Sequence, residues 1–475
     1  MQGMSQDKVS KELPLWNHQI EAIERAKNAY YFGLFFDVGT GKTRTMIEIL
    51  KNVYAENFGI QDTIIVTPVI TLENWKREIA IYSKIDPRNV IVPKGTGIQK
   101  LRQIQLSPPG KIIIVNYEAL LNKDLLQSLL DRDPRVLVCD ESHYVKNPTS
   151  KRTKSVHALA NNCKYRYIMT GTPISNSAED IFAQAYILDL GKRFERKFFY
   201  FKTLYFEDKN RLMPKAKYFP NWVIKPHALE AFNAKLREMT MYANKKQCLD
   251  LPPLILKEVS VELTKDQRKH YEEVKKHFLS YVGDEACVAS IALTKALRMQ
   301  EISSGYIKLE NGEVVEFEEN GKIKALGELL DNYTKDHKII IWSVFKENHR
   351  QIAKLLEKKG IKFVSLTGDE SQTQKVENID AYERDPEIRV CIASQQVGVG
   401  FNMTSSSISI YYSANFNLLH DEQSEARNYR AGSEKHESIY RINLVAENTL
   451  DKLVFEALRD KKVLGHKIIS DSLIK

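Results

Sequence analysis

The stretch GLFFDVGTGKTRTMIEIL, Gly33 to Leu50, sets the fold class. Apolar GLFF reads as a buried strand, DVGTGKT (Asp37–Thr43) as a glycine-bearing turn, and RTMIEILKNVY as a helix with apolar residues at helical spacing. A turn of this kind aims the N–H groups of a helix N-terminus at phosphate oxygens. Gly39, Thr40 and Gly41 form the cradle, Lys42 can neutralise charge on the outer phosphates, and the Thr43 hydroxyl can ligate magnesium. The general GxxxxGK[ST] pattern would put a glycine at Phe36, so the match is incomplete on its own.

Reading outward, short apolar runs ending in polar turns recur: TIIVTP to Pro68, KIIIVNY to Tyr117, RVLVCDE to Glu141 and YRYIMTGTP to Pro173. Helix-like stretches separate them. The alternation predicts a parallel sheet covered on both faces, with its functional loops beyond the C-terminal ends of the strands. Asp140 and Glu141 emerge from one such strand. Alone, an Asp-Glu pair reads as a solvated turn; after a phosphate loop it fits ATP hydrolysis. Asp140 would then hold the magnesium shell, and Glu141 would orient and polarise the attacking water.

A similar series returns later, with KIIIWSVF to Phe345, IKFVSLTG to Gly368, IRVCIASQ to Gln395, SSISIYYS to Ser413 and SIYRINLV to Val445. Two α/β lobes follow, residues 1–250 and 251–475, with the prolines of Leu251-Pro252-Pro253 marking the crossing. From about Asn176 to Asp250 the pattern lengthens, and a helical extension of the first lobe is expected there. Asn311-Gly312 between β-favouring residues predicts a hairpin. In QSEARNYRAGS, Arg427 and Arg430 are three apart and can share a helical face, either as solvated surface charges or as donors to a phosphate in its transition state.

The 475 residues exceed the roughly 250–300 at which a single core stops growing, which also points to two domains. With 43% hydrophobic and 28% charged residues the composition is that of a folded chain and gives no reason to expect extensive disorder. A net charge of +9 suits a polyanionic partner without requiring one. Cys139, Cys163, Cys248, Cys287 and Cys391 are scattered and carry no zinc or disulfide spacing, so they read as thiols in a reducing cytoplasm. No apolar run approaches the roughly 20 residues that span a bilayer.

Taken in order, the motifs resemble those of the Swi/Snf-type branch of superfamily-two helicases, and the likeness runs from about Leu13 to Leu453. LPLWNHQ resembles the adenine-reading segment, with Gln19 as the contact. TPVITLENWKREI is similar to the segment that touches the nucleic-acid backbone, and DESHYVKNPTSKRTK to the DEAH box with its following Lys146, Asn147, Ser150 and Lys151. MTGTPISN, with Thr170, Gly171 and Thr172, looks like the motif coupling hydrolysis to lobe movement; Ile174 and Asn176 trail it as in this branch. LTKALRMQEISSGYI, IIWSVF, SLTGDE, ASQQVGVGFNMT and QSEARNYRAGS follow in family order. Ser142, Gln396-Val397-Gly398 and Ser433 depart from the commonest family residues, which leaves the subfamily open.

The resemblance implies two RecA-like lobes, ATP and magnesium as cofactors, and DNA, duplex or branched, as partner. It implies a monomeric motor of a small bacterial or phage-like kind, served by replication, recombination or repair proteins. Lys42, Asp140, Glu141, Arg427 and Arg430 would be catalytic, and Gly400 and Gln423 would complete the nucleotide site. Backbone contacts to nucleic acid would come from Thr67, Asn74, Asn116 and Tyr117 in the first lobe and from Trp342, Thr367, Gly368, Ser394 and Asn402 in the second. Trp75 reads as core packing, and Trp342 as either a wedge or a buried strand residue. KRFERKFFYFKTLYF, Lys192 to Phe206, mixes bases and aromatics as a nucleic-acid surface does, but reads better as a helical protrusion with its aromatics packed inside.

Overall fold

The computed structural model describes residues 14–175, 177–213, 221–283, 289–309, 311–396 and 402–473. Gly400, Asn176, Val397, Gly398 and Cys287 lie outside them. The chain divides into two compact units, the main break falling between Leu249 and Asp250.

The first unit is built on β1 (Tyr31–Phe36), β2 (Thr63–Thr67), β3 (Val90–Ile91), β4 (Ile112–Asn116), β5 (Val136–Asp140) and β6 (Tyr165–Met169). β7 (Phe206–Asp208) and β8 (Trp222–Ile224) form an antiparallel hairpin outside the main sheet. β9 (Thr240–Ala243) returns to that sheet beside β1, giving seven strands in the order β3-β4-β2-β5-β6-β1-β9. All its pairings are parallel, so every strand ends on the same edge.

Both faces are covered, and the strand period shows how. Ile64 and Val66 of β2, with Ile113 and Val115 of β4, pack into one core. Ile65, Ile112 and Ile114, from the same strands, pack into the other. Alternate side chains point to opposite faces, so unbroken β-branched runs are what a doubly covered sheet requires.

The second unit carries β10 (Leu254–Val261), the hairpin of β11 (Tyr306–Lys308) and β12 (Val314–Glu316), and then β13 (Ile339–Ser343), β14 (Phe363–Leu366), β15 (Val390–Ser394), β16 (Ile408–Tyr411) and β17 (Ile439–Ala446). Its main sheet has six parallel strands in the order β10-β17-β16-β13-β15-β14. Again the faces alternate: Ile340 and Trp342 join one core, Ile339 and Ile341 the other. The expected hairpin is present, Lys308 opposite Val314, with Gly312 in the left-handed region at φ 88°.

One expectation is incomplete, and one strand was not expected. The region after Asn176 is not simply a helical extension. Its helices Ile181–Asp189, Phe198–Tyr205 and Leu229–Met239 are interrupted by the β7–β8 hairpin, and β9 then completes the main sheet. The four-residue strand follows directly on an amphipathic helix, whose 3.6-residue period hides it. β10 was also unforeseen: half-exposed at the sheet edge, it carries Lys257 and Glu258 and lacks the continuous apolar run of the inner strands.

In the segment Lys192 to Phe206, Phe194, Phe201, Tyr205 and Phe206 are buried against Phe232, as the packing reading expects, while Phe199 and Tyr200 stay exposed. The four described cysteines are free, and among the described residues no helix is long and apolar enough to cross a membrane.

Candidate ATP-binding and hydrolysis site

The turn after β1 leads into the helix Lys42–Glu56 through Gly41, which sits at φ 80° and gives that helix no side-chain cap. Its leading N–H groups are therefore left for an anion. A side chain at Gly41 would place Cβ 2.4 Å from Gln19 Nε2 in a backbone region that L-residues avoid, so glycine is required there. Gly39 is left-handed as well, at φ 90°. Thr40 closes the turn by donating to the Asp37 carbonyl at 2.7 Å. Lys42 is drawn back onto the carbonyls of Phe36 at 3.0 Å and Asp37 at 3.3 Å.

The preceding helix, Asn17–Ala26, braces the turn. His18 Nε2 lies 2.9 Å from the Thr40 carbonyl, and burial lowers the pKa of this ring below its ordinary value. Gln19, expected to read adenine, is 3% exposed; its amide donates to the Gly41 carbonyl and the Thr45 hydroxyl while its oxygen accepts from the Trp16 N–H. The nitrogen end of the amide is thus spent on holding the phosphate loop, and the oxygen end on capping its own helix. β9 pins the other side: the Asp37 N–H donates to the Ala243 carbonyl, and an Asp37 carboxylate oxygen accepts from the Lys245 N–H.

Asp140 ends β5, and Glu141 follows in the left-handed region at φ 51°, a costly conformation for a residue with a side chain. Asp140 Oδ2 accepts from Thr67 Oγ1 at 2.8 Å and Trp75 Nε1 at 2.9 Å. Tyr117 donates to the Asp140 carbonyl at 2.6 Å. Glu141 accepts from the Thr170 hydroxyl at 3.1 Å, and His143 Nδ1 lies 3.2 Å from the same oxygen.

The two acids are held differently. Burial and then the charge on Glu141 raise the Asp140 carboxyl above the ordinary carboxylate range. Burial pushes Glu141 the same way, but His143, Lys42 and Thr170 outweigh it and hold Glu141 below that range.

Thr170 and Gly171 follow β6. Besides binding Glu141, Thr170 Oγ1 accepts from the Thr172 N–H at 3.1 Å and lies 3.0 Å from His143 Nδ1. A Cβ on Gly171 would come within 3.1 Å of Val38 Cγ2 and 3.3 Å of the Val38 nitrogen, so glycine here lets the coupling turn lie against the phosphate loop. Magnesium fits this donor set: Thr43 sits in the uncapped first turn, and both protein donors to Asp140 take Oδ2, leaving Oδ1 as the oxygen a hard cation would use.

Residues 22–310 match the SNF2-related domain family. The chain belongs to that family. Residues 321–432 of this SNF2-related chain also match the helicase conserved C-terminal domain, and the pair of domains is that of an ATPase/helicase enzyme. It is 24% identical over 470 residues to an uncharacterized ATP-dependent helicase of Mycoplasma genitalium, covering 97% of this chain and 42% of the relative's length. A putative protein of the Acyrthosiphon pisum secondary endosymbiont phage 1 is 24% identical over 442 residues, covering 90% of this chain and 92% of its own. The Sulfolobus solfataricus SWI2/SNF2 ATPase core, solved in complex with double-stranded DNA, is 23% identical, covers 97% of this chain and 94% of its own, and superposes with a TM-score of 0.44.

In the second unit of the SNF2-related chain, Gln423 lies on the helix Leu418–Glu425 and is buried. Arg427 and Arg430 do not share a helical face as expected. The helix ends at Glu425, and both arginines occupy the turns beyond it, where the Arg427 N–H reaches back to the Ser424 carbonyl. Arg427 is buried and Arg430 half-buried.

Several residues expected to grip nucleic acid point inward instead. Trp342 is 0% exposed, its indole N–H facing Ser409 Oγ at 3.4 Å inside the sheet, so it is no wedge. Thr67 and Tyr117 are equally buried, their hydroxyls committed to Asp140. Both faces of these sheets are covered, so an aromatic within a strand or at its end turns into a core. Asn74 and Asn116 remain partly exposed, bonded to Glu78 and Glu118. Thr367 is tied to Glu370, Ser394 is buried at the end of β15, and Gly368 and Asn402 are exposed.

Sequence reasoning missed one cluster. Arg441 of β17 is buried with Asp421 and Glu425, and Lys462 closes on Glu425 at 2.9 Å. The signal was available as a lone arginine in the apolar run IYRINLVA and two acids four apart on one helix.

Proposed function

We propose that the chain hydrolyses ATP to move along DNA, tracking duplex or branched structures, as a monomeric motor in the cytoplasm of a bacterium or a phage-infected bacterial cell. The observation that carries this reading is the set of Lys42, Asp140, Glu141 and Thr170 on the parallel strand ends of one sheet, in a chain of the SNF2-related family. A net charge of +9 supports a polyanionic track. Replication, recombination or repair proteins are the partners this reading expects.

Lys42 leaves the carbonyls of Phe36 and Asp37 to neutralise the outer phosphates, and the uncapped helix N-terminus receives the phosphate oxygens. Glu141, kept ionised by its donors, orients the attacking water and polarises it. Asp140 and Thr43 would hold a magnesium ion, which would supply positive charge against the phosphates. Arg427 and Arg430 donate to the phosphoryl group as its charge redistributes, a role suited to a planar cation that does not titrate. Asn74, Asn116, Gly368 and Asn402, all at least partly exposed, are the polynucleotide contacts this reading retains, while Thr367 and Ser394 are buried and would need to be uncovered to serve.

The test is steady-state ATP hydrolysis without nucleic acid and with single-stranded DNA, blunt duplex, forked DNA or RNA, with Glu141→Gln as the inactive control. Strong stimulation by duplex or branched DNA is expected, and a blunt-duplex translocation assay run beside forked unwinding then separates tracking from strand separation. Stimulation by RNA alone would make it an RNA helicase. No stimulation by any polymer would leave a nucleotide-switched clamp acting in a larger complex.

A further inference from the structure

Asp140 is gripped by three buried residues, two of which follow a partly exposed asparagine in the chain. Thr67 ends β2, Trp75 lies on the helix Leu72–Tyr82 that follows it, and Tyr117 follows β4. All three are buried at 1% exposure or less. Thr67 Oγ1 and Trp75 Nε1 converge on Asp140 Oδ2 at 2.8 and 2.9 Å, and Tyr117 holds the Asp140 carbonyl at 2.6 Å. Thr71, at the start of the same helix, lies 2.5 Å from Thr67 Oγ1. The Thr71 hydroxyl also donates to the Pro68 carbonyl at 2.9 Å.

Two of these inward groups have a partly exposed residue immediately before them in the chain. Asn74 precedes Trp75, and Asn116 precedes Tyr117; both amides remain partly exposed. A polymer that shifts Asn74 must move the indole of Trp75 with it, because the two are adjacent on one helix. A shift of a few tenths of an ångström changes a 2.9 Å charge-assisted hydrogen bond appreciably.

We infer that Trp75, Thr67 and Tyr117 are positioning residues that transmit occupancy of the Asn74 and Asn116 surface to the carboxylate of Asp140. This rests on the ATP-hydrolysis reading above, in which Asp140 holds magnesium. The indole and hydroxyl fix the rotation of the carboxylate, so the surface that binds the polymer and the group that binds the cation share one rigid linkage.

The experiment compares Trp75→Phe, which keeps the ring and deletes its N–H, with the wild-type chain. Binding of a fluorescent ADP analogue is titrated with and without magnesium, and ATP hydrolysis is measured with and without duplex DNA. The expected result is unchanged nucleotide affinity without magnesium, a loss of about tenfold in the gain that magnesium brings, as deleting one charged hydrogen bond implies, and a lower DNA stimulation ratio at unchanged DNA affinity. Thr67→Val should behave likewise and Thr67→Ser should restore the wild-type response; this pair decides if Trp75→Phe fails to fold. Wild-type magnesium gain in both Trp75→Phe and Thr67→Val would overturn the inference. If the wild-type chain is stimulated by no polymer, the motor reading fails, while a lost magnesium gain in the variants still supports the hold on Asp140.

Discussion

Arg441 lies fork to fork on Asp421, Nη2 to Oδ1 at 2.6 Å and Nη1 to Oδ2 at 3.0 Å, with its guanidinium 3.9 Å from the centre of the Tyr411 ring. The same arginine reaches Glu425 at 3.1 Å. Asp421 and Glu425 stand four apart on the helix that carries Gln423 and leads into Arg427, so β17 fixes where that helix ends.

Removing this cation while leaving its partners exposes the cost of the arrangement. Arg441→Met should destabilise the second unit by about 3–5 kcal/mol, because two buried carboxylates lose their main counter-charge. Arg441→Lys should cost less, keeping the charge but losing the paired geometry. Urea unfolding of the full chain, followed by circular dichroism, checks both.

Glu141→Gln should abolish hydrolysis, by about 100-fold or more, while nucleotide still binds. Stability without magnesium should not fall, since the amide oxygen can keep the Thr170 and His143 donors and one of two adjacent carboxyl groups is gone. Thermal melts with and without magnesium nucleotide test this. A large drop in melting temperature would mean that Glu141 is a structural anion.

Gly171→Ala introduces a methyl group 3.1 Å from Val38 Cγ2 and 3.3 Å from the Val38 nitrogen. The Val38 side chain can turn aside, but the backbone behind it, the Val38 nitrogen and the Phe36 carbonyl at 3.4 Å, gives way only by moving the phosphate loop. Nucleotide affinity should fall several-fold with a stability change within about 1 kcal/mol, a contrast that fluorescent-ADP titration and urea unfolding resolve.

Trp342→Phe should cost about 1–3 kcal/mol of stability through the cavity it leaves, and it should leave the polynucleotide affinity of the folded protein unchanged. Fluorescence anisotropy with labelled duplex at fixed salt gives the second quantity. Weakened binding at full stability would return Trp342 to the nucleic-acid surface.

The phosphate loop, the acid pair and most strands were legible because each is written locally: glycines where φ is positive, β-branched runs where both faces are covered. What was not legible depends on contacts between distant residues. Neither Trp342 nor Tyr117 carries a mark of which way it points, since in a doubly covered sheet inward and outward have no polar alternation to separate them. Arg427 and Arg430 have helical spacing, but the helix stops at Glu425, whose carboxylate is claimed by Arg441 and Lys462. β9 is fixed by its pairing with β1, not by its own four residues. Gln19 was expected to read adenine, and its bonds to Gly41 and Thr45 appear only in three dimensions.

The position of β1 between β6 and β9 has a consequence for the order in which the chain is made. β1 emerges from the ribosome before both its neighbours, which are written at Tyr165–Met169 and Thr240–Ala243. At about 5–20 residues per second, β1 keeps an open edge for several seconds after β6 has been made. Its phosphate loop lacks the Ala243 carbonyl that holds the Asp37 N–H for the same interval. The nascent protein therefore acquires its nucleotide grip late in translation of the first unit, and a ribosome stalled before Thr240 would present an unpaired strand to chaperones instead of a competent ATP-binding loop.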